Sequence, residues 1–147
     1  MLSIRPPQAA DRQAWDALYQ GYARFYQVEQ SAEMRDRVWG WLQDAAHECQ
    51  CLMAFDESGR AVGLAHFRAF ARPLSASTGG FLDDLFVDPA ARGAQAGTQL
   101  IAAIEALGKK QQWSVIRWIT ADNNYRARSA YDKIATRTGW ITYDIKL

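Results

Sequence analysis

Long apolar runs are missing from this chain of 147 residues, and no stretch approaches the roughly 20 consecutive apolar residues that cross a bilayer. The opening MLSIRPPQAADRQ also lacks the basic region and apolar core of a secretory leader. A soluble, cytoplasmic protein with no membrane partner is therefore expected. Cysteine is scarce: Cys49 and Cys51 are the two present. Two apart in an extended segment, they point the same way and cannot readily bridge each other, so reduced, partly buried thiols are expected. His47 and His66 are the two histidines. With no Cys-x-x-Cys pair beside them, His47-Glu48-Cys49 and Cys51 make too thin a donor set, and no metal is expected. An excess of one charge is absent too. Lys and Arg number 17 against 16 Asp and Glu, for a net charge of +1. The basic residues are scattered, which argues against a nucleic-acid partner. No internal repeat or low-complexity stretch interrupts the chain, and its length suits one domain that buries its own core.

What is present is an alternation of strand and helix patterns. Leu2 to Arg5 reads as a short strand ended by Pro6-Pro7, after which Trp15, Leu18, Tyr19 and Tyr22 fall at helical spacing. Ser31 suits the N-cap of a second helix reaching about His47, with Met34, Val38, Trp41, Leu42 and Ala45 as its apolar stripe. Gln50 to Phe55 and Ala61 to Phe70 flank the hairpin turn Asp56-Glu57-Ser58-Gly59 and should pair antiparallel. Ala71 to Gly80 reads as a loop, and Phe81 to Val87 as the next strand. A helix from about Ala94 to Lys109 shows Leu100, Ile101, Ile104 and Leu107 on one face, and Ser114 to Thr120 reads as a buried strand. Asn123 or Asn124 can cap a last helix with Ala127, Ala130, Tyr131 and Ile134 inward, and Trp140 to Lys146 reads as a closing strand. The order βααβββαβαβ predicts a layered α/β or α+β domain with a mixed, mostly antiparallel sheet flanked by helices.

The segment FLDDLFVDPAARGAQAGT, Phe81 to Thr98, carries the most chemistry. Arg92, Gly93 and Gly97 lie where a strand ends and an amphipathic helix begins, so backbone N–H groups and the helix dipole converge on one point suited to an anion. No Lys-Ser/Thr pair follows and no strict G-x-G-x-x-G is present, which argues against a nucleoside-triphosphate or Rossmann site. With Pro89, the loop resembles the R-x-x-G-x-G/A pyrophosphate loop of the GNAT superfamily of acyl-CoA-dependent N-acyltransferases. Gln95 stands where that family usually has its middle glycine. A side chain is tolerable there if its φ stays negative, and weaker CoA binding is expected. A second motif lies downstream: Asn124, Ala127, Ala130, Tyr131 and Lys133 match the family's N-x-x-A-x-x-x-Y-x-K pattern. The element order also agrees, so the resemblance covers nearly all of 1–147 as one domain.

The resemblance implies an acetyl-CoA-dependent N-acetyltransferase. Its pantetheine arm would pair with Leu85, Phe86 and Val87, its pyrophosphate would rest on Arg92, Gly93, Ala94, Gln95, Ala96, Gly97 and Thr98, and Asn124 and Tyr131 would face the arm. A strand N–H near Phe86 could stabilise the developing oxyanion. Tyr131, protonated at neutral pH, suits proton donation to the departing thiolate. Asp83 and Asp84 are adjacent carboxylates in an apolar strand; alternation points them to opposite faces, and either can attract a cationic amine or accept its proton. FLDDLFV resembles the strand of polyamine and diamine acetyltransferases, and WITADNNYRARSAYDKIATRTGW resembles a branch containing yeast histone and polyamine acetyltransferases. The acceptor would enter past Tyr22, Phe25, Tyr26, Glu29 and Trp39, whose aromatic faces and acid favour cations, though plain packing serves each aromatic equally well. The expected acceptor is a small polyamine, a diamine or a lysine-like amine, attacked directly without an acyl-enzyme. A peptidyl lysine or protein N-terminus, an amino sugar, or a CoA-binding module without chemistry are the alternatives. Homodimerisation through edge strands is the partner expectation beyond the small amine.

Overall fold

The computed structural model describes residues 1–91, 93 and 95–147. Five strands form one sheet in chain order: β1 (Ser3–Arg5), β2 (Gln50–Phe55), β3 (Ala61–Arg72), β4 (Ser77–Val87) and β5 (Ile116–Arg117). The first four pair antiparallel, and β5 joins β4 in parallel. Helices α1 (Arg12–Phe25), α2 (Ala32–Gln43), α3 (Ala96–Lys110) and α4 (Tyr125–Tyr131) complete the chain. The mixed layered architecture and the order of elements agree with the reading of the sequence through α4.

Strand alternation divides the core between two faces of the sheet. Cys51, Met53 and Phe55 of β2 and Leu64 of β3 pack under α1 and α2 with Trp15, Leu18 and Trp39. Ala54, Ala65 and Phe67 point the other way, toward Leu100, Ile101 and Ile104 of α3. Trp15 is fully buried at 0% exposure, and truncating an aromatic at such a position costs about 3–5 kcal/mol.

Several expected boundaries move. The Ala71 to Gly80 loop contracts to a turn at Pro73–Ser75, because the β3–β4 ladder runs on to Arg72↔Ser77. In α2 the buried residue is Trp39, with Val38 and Leu42 packed beside it, whereas Met34 and Trp41 are exposed and Ala45 lies past the helix end at Gln43. Trp41 instead stacks on His47 at 4.8 Å. The buried strand expected at Ser114 to Thr120 reduces to Ile116–Arg117, since its pairing with β4 spans only Gly80↔Ile116 and Phe81↔Arg117. Ile134 follows α4 and is exposed rather than inward.

The closing strand is the largest correction. Residues 138–147 carry no strand, and Trp140, Ile141, Tyr143, Ile145 and Leu147 are all exposed. A strand exists only through a partner's ladder. Among the described residues nothing pairs with this segment, and β4 is the one neighbour of β5.

Helix α3 starts under strain. Its N-cap, Gln95, sits at φ 60° and ψ 27°, in the left-handed region, and its side chain makes no cap hydrogen bond. The negative φ that would make Gln95 an easy substitute for glycine is therefore not adopted. Left-handed backbone is unfavourable for residues with a Cβ, so Gln95→Gly is expected to raise stability by up to about 1 kcal/mol after the entropy cost of glycine. Thermal unfolding of the two proteins checks this; a lower melting temperature for Gln95→Gly contradicts it.

Candidate active site

The site is organised by one irregularity in the β3–β4 ladder. His66 pairs with Asp84 and Phe67 with Leu82, so Asp83 is an extra residue in β4 with no partner of its own. Such a bulge puts two successive side chains over the same face and sharpens the local twist. His66 and Arg68 are alternate residues on the regular strand β3, hence on one face. Asp84 bonds to the first and Asp83 to the second. The opposite orientation expected for the two aspartates is thus corrected: both carboxylates lie over the α1 side of the sheet.

Asp84 is held from several sides. Its Oδ2 lies 2.8 Å from His66 Nδ1 and accepts a hydrogen bond from the Tyr19 hydroxyl at 2.9 Å. Burial alone would push this carboxyl upward, but the hydrogen bond from His66, with the hydroxyls of Tyr19 and Tyr22, holds it below the ordinary carboxylate range. The same contacts, after burial, raise the Tyr19 and Tyr22 phenols. Behind Asp84, His66 is 1% exposed, and its Nε2 accepts a hydrogen bond from Trp15 Nε1 at 3.0 Å.

Asp83 has a different setting. Burial pushes its carboxyl up, and the Arg68 guanidinium 3.1 Å away only partly opposes this. The neighbouring Cys49 thiol is raised to about 11 by burial and by the two aspartates. Two adjacent carboxyls are thus displaced in opposite directions, the pattern that separates a permanent anion from a proton acceptor.

Asp83 lines a small cleft with Tyr22, Tyr26, Leu82, Leu85, Trp118, Ile119, Thr120 and Tyr131. Tyr131 is half-buried, its hydroxyl pushed up by burial and by Tyr26, and its ring meets Trp118 edge to face at 5.3 Å. Of the expected acceptor wall, Tyr22 and Tyr26 are in place, 4.9 Å apart between ring centres. Phe25 packs on Tyr26 at 5.0 Å and is exposed outside the cleft lining. Glu29 is exposed on the connection between α1 and α2. Trp39 is core, 5.2 Å from Trp15. A wider hollow at Met1, Leu2, Asp56, Glu57, Ser58 and Gln99 is separate and gathers none of these groups.

Past the bulge β4 parts from β5. Leu82 to Val87 have no ladder partner on β5, so this edge of β4 is open to an added strand-like chain. Leu85 and Val87 meet the start of α3, where a Cβ built on Gly97 would lie 3.9 and 3.7 Å from their side chains. Phe86 instead turns toward α1 and stacks edge to face on Tyr22 at 6.2 Å. Gly93 adopts φ 99°, Ala96 is buried, and the Thr98 hydroxyl donates to the Gln95 carbonyl at 3.0 Å. The Gln95 side chain offers the first-turn N–H groups no acceptor, which suits an anion there. Arg92 and Ala94 lie outside the described residues. The Asn124 side chain caps α4, accepting from the Ala127 N–H at 3.4 Å. An open strand edge running into an uncapped helix start fits a CoA arm and its pyrophosphate.

His66, Arg68, Tyr19, Trp118 and Thr120 were not singled out in the sequence. His66 in an apolar run was the visible signal, but its partner depends on a strand register that periodicity does not reveal. No group of three or more His, Cys, Asp or Glu suited to a metal occurs among the described residues.

Comparison with known proteins bears on the fold and the family. The chain is 25% identical over 141 residues to the D-amino-acid N-acetyltransferase HPA3 of Saccharomyces cerevisiae, covering 95% of this chain and 88% of that protein. A ribosomal-protein-alanine N-acetyltransferase from Brucella melitensis biovar Abortus 2308 superposes with a TM-score of 0.82 at 21% identity, over 100% of this chain and 99% of the other. The aminoglycoside N-acetyltransferase AAC(6')-Iy in complex with CoA gives 0.84 at 18% identity, over 99% and 95%. The acetyltransferase (GNAT) family matches residues 15–135; the chain belongs to that family and is an acetyl-CoA-dependent N-acetyltransferase.

Proposed function

We propose that the protein acetylates a small cationic primary amine, a polyamine, diamine or lysine-like molecule, by direct attack of the amine on the thioester. The observation that carries this reading is the pair of carboxyls turned onto one face, Asp83 lining a cleft with Tyr22, Tyr26 and Tyr131 and Asp84 next to it against Tyr19 and Tyr22. Acetyl-CoA supplies the activated acyl group, held along Leu85 to Val87 and at the start of α3. Asp84, kept ionised, draws the ammonium group in. Asp83, raised by burial, takes the proton that the amine must lose before it attacks. Tyr131, whose hydroxyl stays protonated, donates to the departing sulfur. A free α-amino acid is a second reading, favoured by the name of the yeast relative and by Arg68, a cation beside Asp83 that could pair with a substrate carboxylate.

Thiol release from acetyl-CoA, followed with separate pools of polyamines and diamines, lysine analogues, D-amino acids, amino sugars and a lysine-rich peptide, should respond first to the cationic amines. Release confined to amino acids would favour the second reading. Asp84→Asn should raise KM for the preferred amine at least tenfold, and Tyr131→Phe should lower kcat by about 100-fold, as for loss of a positioned general acid. Because Asp83 must be deprotonated to act and its carboxyl is raised, turnover should fall as pH drops through the upper carboxylate range. Asp83→Asn should remove that dependence along with most of the rate. Parent kinetics in all three variants would sink these roles.

The partner reading rests on the exposed segment 138–147. Ile141, Tyr143, Ile145 and Leu147 alternate with Thr142, Asp144 and Lys146, the pattern of a half-buried strand, while β5 has one neighbour among the described residues. A second copy that lends this segment to the β5 edge satisfies both. Sedimentation should give the mass of two chains, and truncation after Gly139 should give that of one; a monomer before truncation would refute the exchange.

A further inference from the structure

The buried pair behind Asp84 has no part in the chemistry described so far. An indole N–H can only donate a hydrogen bond. The 3.0 Å contact from Trp15 Nε1 therefore requires a lone pair at His66 Nε2 and leaves the ring's proton at Nδ1, 2.8 Å from Asp84 Oδ2. A ring carrying protons on both nitrogens would set N–H against N–H at Trp15. The line Trp15, His66, Asp84 is thus directional: each group donates to the next, ending at the carboxylate. It crosses from α1 through β3 to β4, and its middle member is the one buried polar side chain among the described residues. A bare structural role is a poor account of it, since apolar residues would fill the same volume without the cost of burying an imidazole.

We infer that His66, oriented by Trp15, is a positioning residue that fixes the direction and ionised state of Asp84 for the cationic acceptor. This rests on the acceptor role proposed for Asp84. The bulge makes such a device necessary: Asp83 has no ladder partner, so the adjacent peptide is less constrained than a regular strand. Tyr19 reaches the same oxygen, Oδ2, through a rotatable hydroxyl, and the Tyr22 hydroxyl acts on this carboxyl in the same way. His66 supplies the donor whose direction is set from behind. The groups facing Asp84 are Tyr19 and Tyr22 from α1, His66 from β3, Asp83 beside it on β4, and Cys49 and Cys51 at β2. Arg68 of β3 acts on Asp83. The N–H of His66 is the one that the Trp15 contact aims.

The test compares His66→Leu, His66→Asn and Trp15→Phe with the parent and with Asp84→Asn, using a diamine as acceptor. Asparagine places an N–H the same number of bonds from Cα as histidine Nδ1, so it keeps the donor and loses the Trp15 contact. His66→Leu should raise KM for the diamine at least fivefold, with kcat changed less. It should also move the titration of the Asp84 carboxyl, followed by carbon-13 NMR, upward by about one pH unit, because removing a donor to the ionised form raises a carboxyl. His66→Asn should restore most of both. Trp15→Phe, which preserves the ring but not the N–H, should show the same shift in weaker form, and it carries the test if His66→Leu does not fold. CoA affinity, measured by calorimetry without an amine, should stay at the parent value in each. An unmoved KM and an unmoved Asp84 titration in His66→Leu, or in Trp15→Phe should that variant alone fold, overturn the inference when Asp84→Asn is impaired. Parent behaviour in Asp84→Asn itself overturns the acceptor reading instead.

Discussion

One unpaired residue, Asp83 in the β3–β4 ladder, sets the geometry of the whole site. Up to Phe81 the strand behaves as a central member of the sheet, hydrogen-bonded to β3 on one side and β5 on the other. At Asp83 the count slips by one, two carboxyls come to share a face, and the strand leaves β5 behind. The shared face of the two carboxyls and the position of Asp83 in the cleft with Tyr131 follow from that slip. A regular strand would have turned one aspartate toward the α3 side of the sheet.

The two carboxyls sit side by side, yet their surroundings drive them apart. Asp84 is the more deeply placed and nonetheless the more acidic, because donors from α1 and β3 converge on it. Asp83 has a single cation, at the sheet surface, and burial prevails there. Adjacent like charges also discourage simultaneous ionisation, so holding one as a fixed anion helps keep the other available for a proton. The aromatic residues of α1 are integral to this arrangement: Tyr19 and Tyr22 supply hydroxyls to the carboxylate while their rings close the core beneath.

Much of this was legible in the residues. The strand and helix order through α4, with Asn124 as the cap of its last helix, was visible because each element is a local pattern with its own spacing. What escaped depends on register or on absent partners. Alternation predicted opposed aspartates, and only the pairing of β3 with β4 shows the extra residue. His66 read as an isolated histidine because its two partners lie 51 and 18 residues away. The alternation of 140–146 reads as a strand, but a period of two does not say whether the neighbouring strand belongs to the same chain. Gln95 was recognisable as a departure from glycine, while its left-handed backbone was not.

The two thiols beside the acidic pair have a bearing on the product of the reaction. Each turnover of an acetyl-CoA-dependent enzyme releases CoA as a free thiol, and exchange with a disulfide formed from it requires a thiolate as the attacking species. With its thiol raised to about 11, Cys49 stays in the thiol form at neutral pH. Cys51, buried and raised further in the same direction, is poorer still as a nucleophile. The two aspartates thus help keep the neighbouring sulfur in its unreactive form. A disulfide of CoA, the oxidised form of the released thiol, meets cysteines that attack it slowly.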